Sequence, residues 1–214
     1  MTTPLPKPVE PTGPVNRVIP PRPKQAVLVI VGLTLLLYLI ELLDSVLPAS
    51  LDTWGIYPRS LSGLDGVVWA PLLHGGWDHL VSNTLPVLVF GFLAMAGGLG
   101  QWIAVTVTIW LISGIGVWLT GTPAYTVGAS SLVFGWLAFL LVRGVFNRSL
   151  KQLAVAVVLF AYWGGLLFGV LPGDPRVSWQ GHLFGALAGV LAAWLVGRAN
   201  RSQQPAGLTG GPAS

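Results

Sequence analysis

Residues 26–43 read AVLVIVGLTLLLYLIELL, an apolar run interrupted only by Glu41. A helix that crosses the hydrocarbon core of a bilayer needs about 20 mainly apolar residues. The run meets that requirement, so it predicts a first transmembrane helix. Further apolar runs of this length elsewhere in the chain would indicate a protein that crosses the membrane several times.

Five further apolar runs follow. They cover residues 79–96, 102–119, 130–142, 153–170 and 179–196. Breakers such as Gly97-Gly98, Gly121-Thr122-Pro123 and Leu171-Pro172-Gly173 separate several of them. The pattern predicts an all-α membrane protein with six transmembrane helices in one domain, residues 26–198. Residues 1–25, rich in proline and polar side chains, predict a disordered tail, and residues 199–214 predict a second tail.

Composition supports the membrane assignment. The 214 residues are 53% hydrophobic and only 8% charged, with a mean hydropathy of +0.74. Soluble domains carry roughly 25% charged residues. The chain has no cysteine, which excludes a disulfide framework, a thiol nucleophile and thiolate metal ligands. The net charge of +4 does not indicate nucleic-acid binding, because the basic residues form no single soluble face.

The distribution of charge predicts the orientation. With six spans, nine of the eleven lysines and arginines fall on the side that holds both termini, and only Arg59 and Arg176 fall opposite. The positive-inside rule therefore predicts cytoplasmic termini in a multi-pass protein of the cell membrane. On the outer side, residues 48–77 are too apolar for a free loop and too broken for a span. We expect a structured, partly interfacial loop against the bundle.

Polar side chains inside spans are costly and call for a reason. Ser130 lies in Gly128-Ala129-Ser130-Ser131 and opens the fourth span. The free N–H groups at a helix N-terminus favour a developing oxyanion. The alternative is an ordinary helix N-cap, for which serine is preferred. Ser130 alone does not decide between them.

His182 lies in the sixth span and is a candidate proton acceptor. Gly185 and Gly189 follow it by three and seven residues, so they share its helical face. Such small residues allow close approach of a neighbouring helix. We therefore expect His182 to face another helix. The alternative is a hydrogen-bonded histidine that serves packing only.

His79 and Asn83 begin the second span, four residues apart and hence on one face. Both can donate hydrogen bonds to an anionic oxygen, and His74 upstream is placed to orient them. The alternative is that they cap or cross-link helices. With three histidines and no H-E-x-x-H motif, we expect no metal and no cofactor. The sixth span has no acidic residue, so a Ser–His dyad is favoured over a triad.

Taken together, these motifs resemble the rhomboid family of intramembrane serine proteases. His74, His79 and Asn83 match the family's H-x-x-x-x-H-x-x-x-N pattern at helix two. Gly128 and Ser130 match its G-x-S motif, and residues 182–189 match its H-x-x-G-x-x-x-G stretch. The resemblance covers roughly residues 51–196 and implies a six-helix core.

The resemblance implies the roles as well. Ser130 would be the nucleophile and His182 the general base. His79 and Asn83, with the Ser130 backbone N–H, would form the oxyanion hole, and Phe134 would pack against the histidine ring. The substrates would be transmembrane proteins within the bilayer.

The sequence departs from the family at two places. Ser131 stands where members often have glycine, and a common Trp-Arg pair appears as Trp69-Ala70. Whether Arg59 replaces the missing guanidinium stays open. Two alternatives to a protease remain: an inactive rhomboid-like binder of transmembrane clients, and a small transporter, although the inverted repeat of many transporters is not evident.

Overall fold

The computed structural model describes residues 16–174 and 176–202. In that part of the chain the secondary structure is helical, apart from one isolated antiparallel bridge between Ile56 and Thr126. The α-helices are α1 (Pro23–Val46), α2 (Gly66–Trp69), α3 (Trp77–Ala94), α4 (Leu99–Thr120), α5 (Ser130–Asn147), α6 (Leu150–Trp163) and α7 (Trp179–Ser202).

Six of these helices are long and apolar enough to cross a membrane, namely all except the four-residue α2. The fifth crossing runs over Leu150–Val170, because α6 continues without a break as a 3₁₀ helix, Gly164–Val170. The predicted six-span, all-α architecture is therefore confirmed. The orientation of the termini stays a prediction.

Helix ends lie a few residues outside the predicted spans. Helix α1 begins at Pro23, which occupies the first turn, where a missing N–H costs nothing. Helix α7 continues to Ser202. The remainder of both predicted tails, residues 1–15 and 203–214, lies outside the described residues. The backbone carbonyl of Arg17 accepts a 3.1 Å hydrogen bond from Gln152 in the first turn of α6, so Arg17 lies at that end of the bundle.

Helix α5 is the centre of the bundle and contacts α3, α4, α6 and α7. Eleven of its 18 residues are buried. Its closest neighbour is α7: a Cβ built on Gly189 would lie 2.0 Å from the carbonyl oxygen of Gly135, and one built on Gly185 would lie 2.3 Å from that of Ser131. The two backbones are in contact, and only glycine fits there. The predicted glycine-lined face of the sixth span is thus the face against α5.

The segment between α1 and α3 is structured, as predicted. Ile56, Val67 and Ala70 form a small apolar cluster with Val117 of α4. The indole N–H groups of Trp110 and Trp118 donate 2.8 Å hydrogen bonds to the carbonyls of Val67 and Ser60. On the other side the segment exposes large apolar residues: Trp54, Leu61, Val68 and Trp69. Its placement in the bilayer interface stays a prediction.

Arg59 links the segment between α1 and α3 to the C-terminal end of α4. Its Nη1 donates to the carbonyl oxygen of Gly121 at 2.9 Å, directly after the last residue of α4. Its own backbone N–H donates to the carbonyl of Trp118 at 2.9 Å. The guanidinium therefore caps the C-terminal end of α4 and fastens the loop to the start of the segment that leads to Ser130.

Candidate active site

Ser130 and His182 are hydrogen-bonded. Ser130 is the first residue of α5, and His182 lies in the first turn of α7. The distance from the Oγ of Ser130 to the Nε2 of His182 is 2.9 Å. The two helices carry these side chains together because the Gly185 and Gly189 contacts hold α7 directly against α5. The sequence expectation that His182 faces another helix is met by this contact.

The second ring nitrogen of His182 fixes the tautomer. Its Nδ1 lies 3.0 Å from the backbone carbonyl oxygen of Gly169. A carbonyl can only accept, so the proton must lie on Nδ1. In the neutral ring, Nε2 then carries a lone pair and accepts from the Ser130 hydroxyl. This is the tautomer that a general base needs.

Phe134 holds the plane of the imidazole. Its ring is stacked on that of His182 with centroids 3.9 Å apart and an interplanar angle of 8°. Phe134 stands four residues after Ser130, so one face of α5 presents both the hydroxyl and the stacking ring. The histidine is thereby restrained on its face and at both nitrogens.

The turn ahead of Ser130 lies against His79. Gly128 has φ +120°, a conformation that residues with a side chain rarely adopt. A Cβ at Gly128 would lie 2.5 Å from the Cε1 of His79, so the imidazole contacts the glycine directly. Asn83 is buried, and its Nδ2 donates to the His79 carbonyl at 2.9 Å. One N–H of the Asn83 amide is thus used within α3, and the second remains available.

His74 contacts both the backbone of this turn and the ring of His79. The Nε2 of His74 accepts a 3.3 Å hydrogen bond from the N–H of Ala129, and its ring meets that of His79 edge-on at 5.2 Å. Burial lowers the pKa of His74 to about 3, with His79 as a second cause, so the ring is neutral near pH 7. The N–H of Gly128 donates to the carbonyl of Ala70 at 2.8 Å. The N–H of Ser130 has no acceptor within its own helix, because Ser130 is the first residue of α5.

A cavity of about 20 Å³ lies beside Ser130. Its lining includes Ser113, Ser131 and Ser178 together with apolar residues such as Ile56 and Val117. A space of this size is about that of one water molecule. Ser131 lines this cavity too, whereas the hydrogen bond to His182 comes from Ser130.

Asp174 is the acidic residue nearest to His182 in the sequence. Its carboxylate forms a 2.7 Å ion pair with Arg176, and both side chains are exposed. The Arg176 N–H groups lower the pKa of Asp174 to about 2. The sixth span contains no acidic residue, and the acceptor at Nδ1 of His182 is the Gly169 carbonyl, which the sequence did not predict. A backbone acceptor has no residue-type signal.

These features define a multi-pass helical membrane protein with a serine–histidine pair beneath a structured loop. A family model described as "Rhomboid domain" matches residues 63–199. The chain belongs to the rhomboid family.

Three relatives similar to this chain differ in whether their names state a function. An uncharacterized protein of Mycobacterium tuberculosis is 46% identical over 175 residues, covering 78% of this chain and 73% of that protein. The Arabidopsis thaliana protein named rhomboid-like protein 11, chloroplastic, is 29% identical, covering 61% of this chain and 52% of its own length. A putative rhomboid protease of Bacillus subtilis is 26% identical, with coverages of 58% and 63%.

Proposed function

We propose that the protein is an intramembrane serine endopeptidase that cleaves transmembrane substrates by a Ser130–His182 dyad. The 2.9 Å hydrogen bond from the Ser130 hydroxyl to the Nε2 of His182 carries the proposal, because the Gly169 contact leaves that nitrogen as the acceptor. A serine that serves only as a helix cap has no need of a base in this tautomer.

The reaction follows the general course of acyl transfer. The Ser130 oxygen attacks the scissile carbonyl carbon while Nε2 of His182 takes the hydroxyl proton. The imidazolium then protonates the leaving amine as the C–N bond breaks. Water, deprotonated by the same histidine, attacks the resulting ester and releases the acid product and Ser130.

Three donors are assigned to the oxyanion. The Ser130 N–H lies at the N-terminus of α5 with no intrahelical acceptor. His79 is in contact with the preceding Gly128, and Asn83 retains one amide N–H. Donors placed where negative charge develops are usually the largest single contribution to such catalysis.

The setting of the reaction is part of the proposal. The excess of lysine and arginine at the terminal side puts both termini in the cytoplasm and Ser130 towards the outer side of the cell membrane. The substrate helix would enter from the lipid between the second and fifth spans and unwind locally, because helical peptide bonds are shielded by their own hydrogen bonds. The specific substrates stay open.

The second candidate is an inactive binder that holds transmembrane clients without cutting them. The mycobacterial relative favours neither candidate, since it is described only as uncharacterized. The hydrogen-bonded dyad is the observation that favours the protease.

Cleavage of a single-span reporter in proteoliposomes tests the proposal. Wild type and Ser131→Ala are expected to cleave, and Ser130→Ala is expected to give no product. Ser131→Ala is the matched control, because Ser131 adjoins Ser130 and lines the same cavity. Equal product from wild type and Ser130→Ala would refute the dyad, and retention of reporter without product would support the binder.

A further inference from the structure

The group that fixes the tautomer of His182 lies on the least buried part of the bundle. Gly169 belongs to the 3₁₀ helix Gly164–Val170, and none of its seven residues is buried. Runs of 3₁₀ helix longer than three or four residues are uncommon. Here the 3₁₀ helix follows directly on α6 and ends at Val170, and the carbonyl oxygen of Gly169 lies 3.0 Å from the Nδ1 of His182.

The carbonyl decides whether His182 can act as a base. If the ring proton moved to Nε2, the ring would donate to the Ser130 oxygen and could not accept its proton. In triad enzymes, holding the wrong tautomer costs on the order of 10⁴ in kcat. In the part of the chain that the structure describes, the Gly169 carbonyl is the acceptor recorded at Nδ1. We therefore propose that the main-chain carbonyl of Gly169 is the positioning group that takes the place of the acidic third member. This inference rests on the proposed function.

The absence of a side chain at position 169 is a packing requirement. A Cβ there would lie 2.8 Å from the Cζ of Phe134 and 3.1 Å from the Nδ1 of His182. Any larger residue must therefore displace either the segment or the two rings and so disturb the contact between Gly169 and His182. Gly165 lies in the same 3₁₀ helix, and a Cβ there would meet no atom within 4 Å.

The other side of the segment faces an open apolar groove of about 470 Å³, lined by residues that include Phe160, Leu167 and Phe168. The Phe168 side chain is 76% exposed. Outward displacement of the segment towards this groove would separate Gly169 from His182 while Ser130 and His182 stay on α5 and α7. Such a displacement would also release the packing of Leu166, Leu167 and Val170 against the core. The competence of the dyad thus depends on where the fifth span sits.

The test compares Gly169→Ala with its matched control Gly165→Ala in the purified full-length protein. We expect kcat for reporter cleavage to fall at least about 10-fold in Gly169→Ala with KM within about threefold, and both constants to stay within about twofold of wild type in Gly165→Ala. The ¹⁵N spectrum of labelled histidine, with the His182 signal assigned by its loss in His182→Gln, reads the tautomer directly. Wild type and Gly165→Ala should be protonated at Nδ1, and Gly169→Ala should be a mixture. A mere packing role would lower stability but leave the tautomer unchanged.

A second variant covers the case in which Gly169→Ala does not fold. Replacing Val170 by its α-hydroxy acid turns the 169–170 linkage into an ester, whose carbonyl is a weaker acceptor of the same shape. The control is the same replacement at Leu167, which also removes one N–H but weakens the carbonyl of Leu166. Wild-type kcat and tautomer in the Val170 ester would overturn the assignment of Gly169. If wild type cleaves no more than Ser130→Ala, the protease proposal fails instead, and the ¹⁵N spectra still decide the tautomer.

Discussion

The two sides of the dyad are built differently. The α5–α7 contact holds Ser130 and His182 on two helices whose backbones touch at Gly135, Gly185 and Gly189. The 3₁₀ helix Gly164–Val170 has no buried residue, yet it supplies the acceptor for Nδ1 of His182. The chain thus places the reacting groups on a closely packed pair of helices, and the acceptor for the ring proton of His182 on a segment that is only partly buried.

Function and stability should therefore respond differently to substitutions in the two regions. A substitution at the α5–α7 contact should affect folding and activity together, because the same glycines serve both. A substitution in the groups around the dyad should affect activity with little change in stability.

A substitution at Gly189 should disrupt the contact between α5 and α7 most strongly. In Gly189→Ala the new methyl group would overlap the Gly135 carbonyl, so α5 and α7 must separate. Overpacking of this kind costs about 1–3 kcal/mol or more. We expect a lower melting temperature in detergent together with loss of reporter cleavage.

Gly32→Ala is the matched control for that change, since Gly32 lies within α1 and a Cβ there meets no atom within 4 Å. Alanine in an exposed helix interior should be neutral or slightly stabilising. A Gly189→Ala protein with the stability of wild type would contradict the account of the α5–α7 contact.

Substitution of a residue assigned to the oxyanion hole should lower kcat and leave the stability of the fold nearly unchanged. Removing one such donor costs on the order of 100-fold in kcat, so Asn83→Ala should lower kcat by about that factor while the melting temperature changes little. Steady-state cleavage kinetics measure it. The control is Ser82→Ala, an exposed neighbour in α3 whose hydroxyl donates to the His79 carbonyl at 2.7 Å. If the two variants had equal kcat, Asn83 would have no role in the reaction.

The smallest expected effect is a pH dependence of stability at His74. Burial lowers its pKa from 6.5 to about 3, so the unfolded chain binds the proton and the folded protein does not as pH falls below 6.5. The contribution of His74 alone therefore disfavours the folded state by roughly 2 kcal/mol on acidification from pH 7 to 5. Asp52 acts oppositely, because burial and Asp44 raise its pKa to about 6 and the folded protein gains that proton first.

Melting temperatures at pH 7 and pH 5 check this sign. His74→Gln keeps an acceptor for the Ala129 N–H but cannot titrate, so its loss of stability on acidification should be smaller than that of wild type. An identical loss in both proteins would mean that His74 is not protonated on unfolding in this range.

Most of the fold was accessible from the sequence. Apolar runs of about span length predict membrane helices directly, since lipid imposes both length and composition. The glycine spacing after His182 predicted the close helix contact, and the G-x-S motif predicted a serine at a helix start. Gly128, with its positive φ and its contact to His79, is a case in which the residue type itself signals the geometry.

Other features could not be predicted from the sequence. The Gly169 carbonyl is a main-chain atom, so the only sequence signal was a glycine near the end of the fifth apolar run. The hydrogen bond from the Ala129 N–H to His74 likewise depends on loop packing, and the orienting role expected for His74 towards His79 and Asn83 stays a prediction. The short helix α2 and the capping of α4 by Arg59 arise from contacts distant in sequence, which no local pattern encodes.

The central claim is that His182 activates the Ser130 hydroxyl. Reaction of the purified protein with a fluorophosphonate, followed by peptide mass spectrometry, measures this without any substrate. The account predicts an adduct on Ser130 in wild type and none in His182→Ala. An adduct on Ser131, or equal labelling of Ser130 in wild type and His182→Ala, would contradict it.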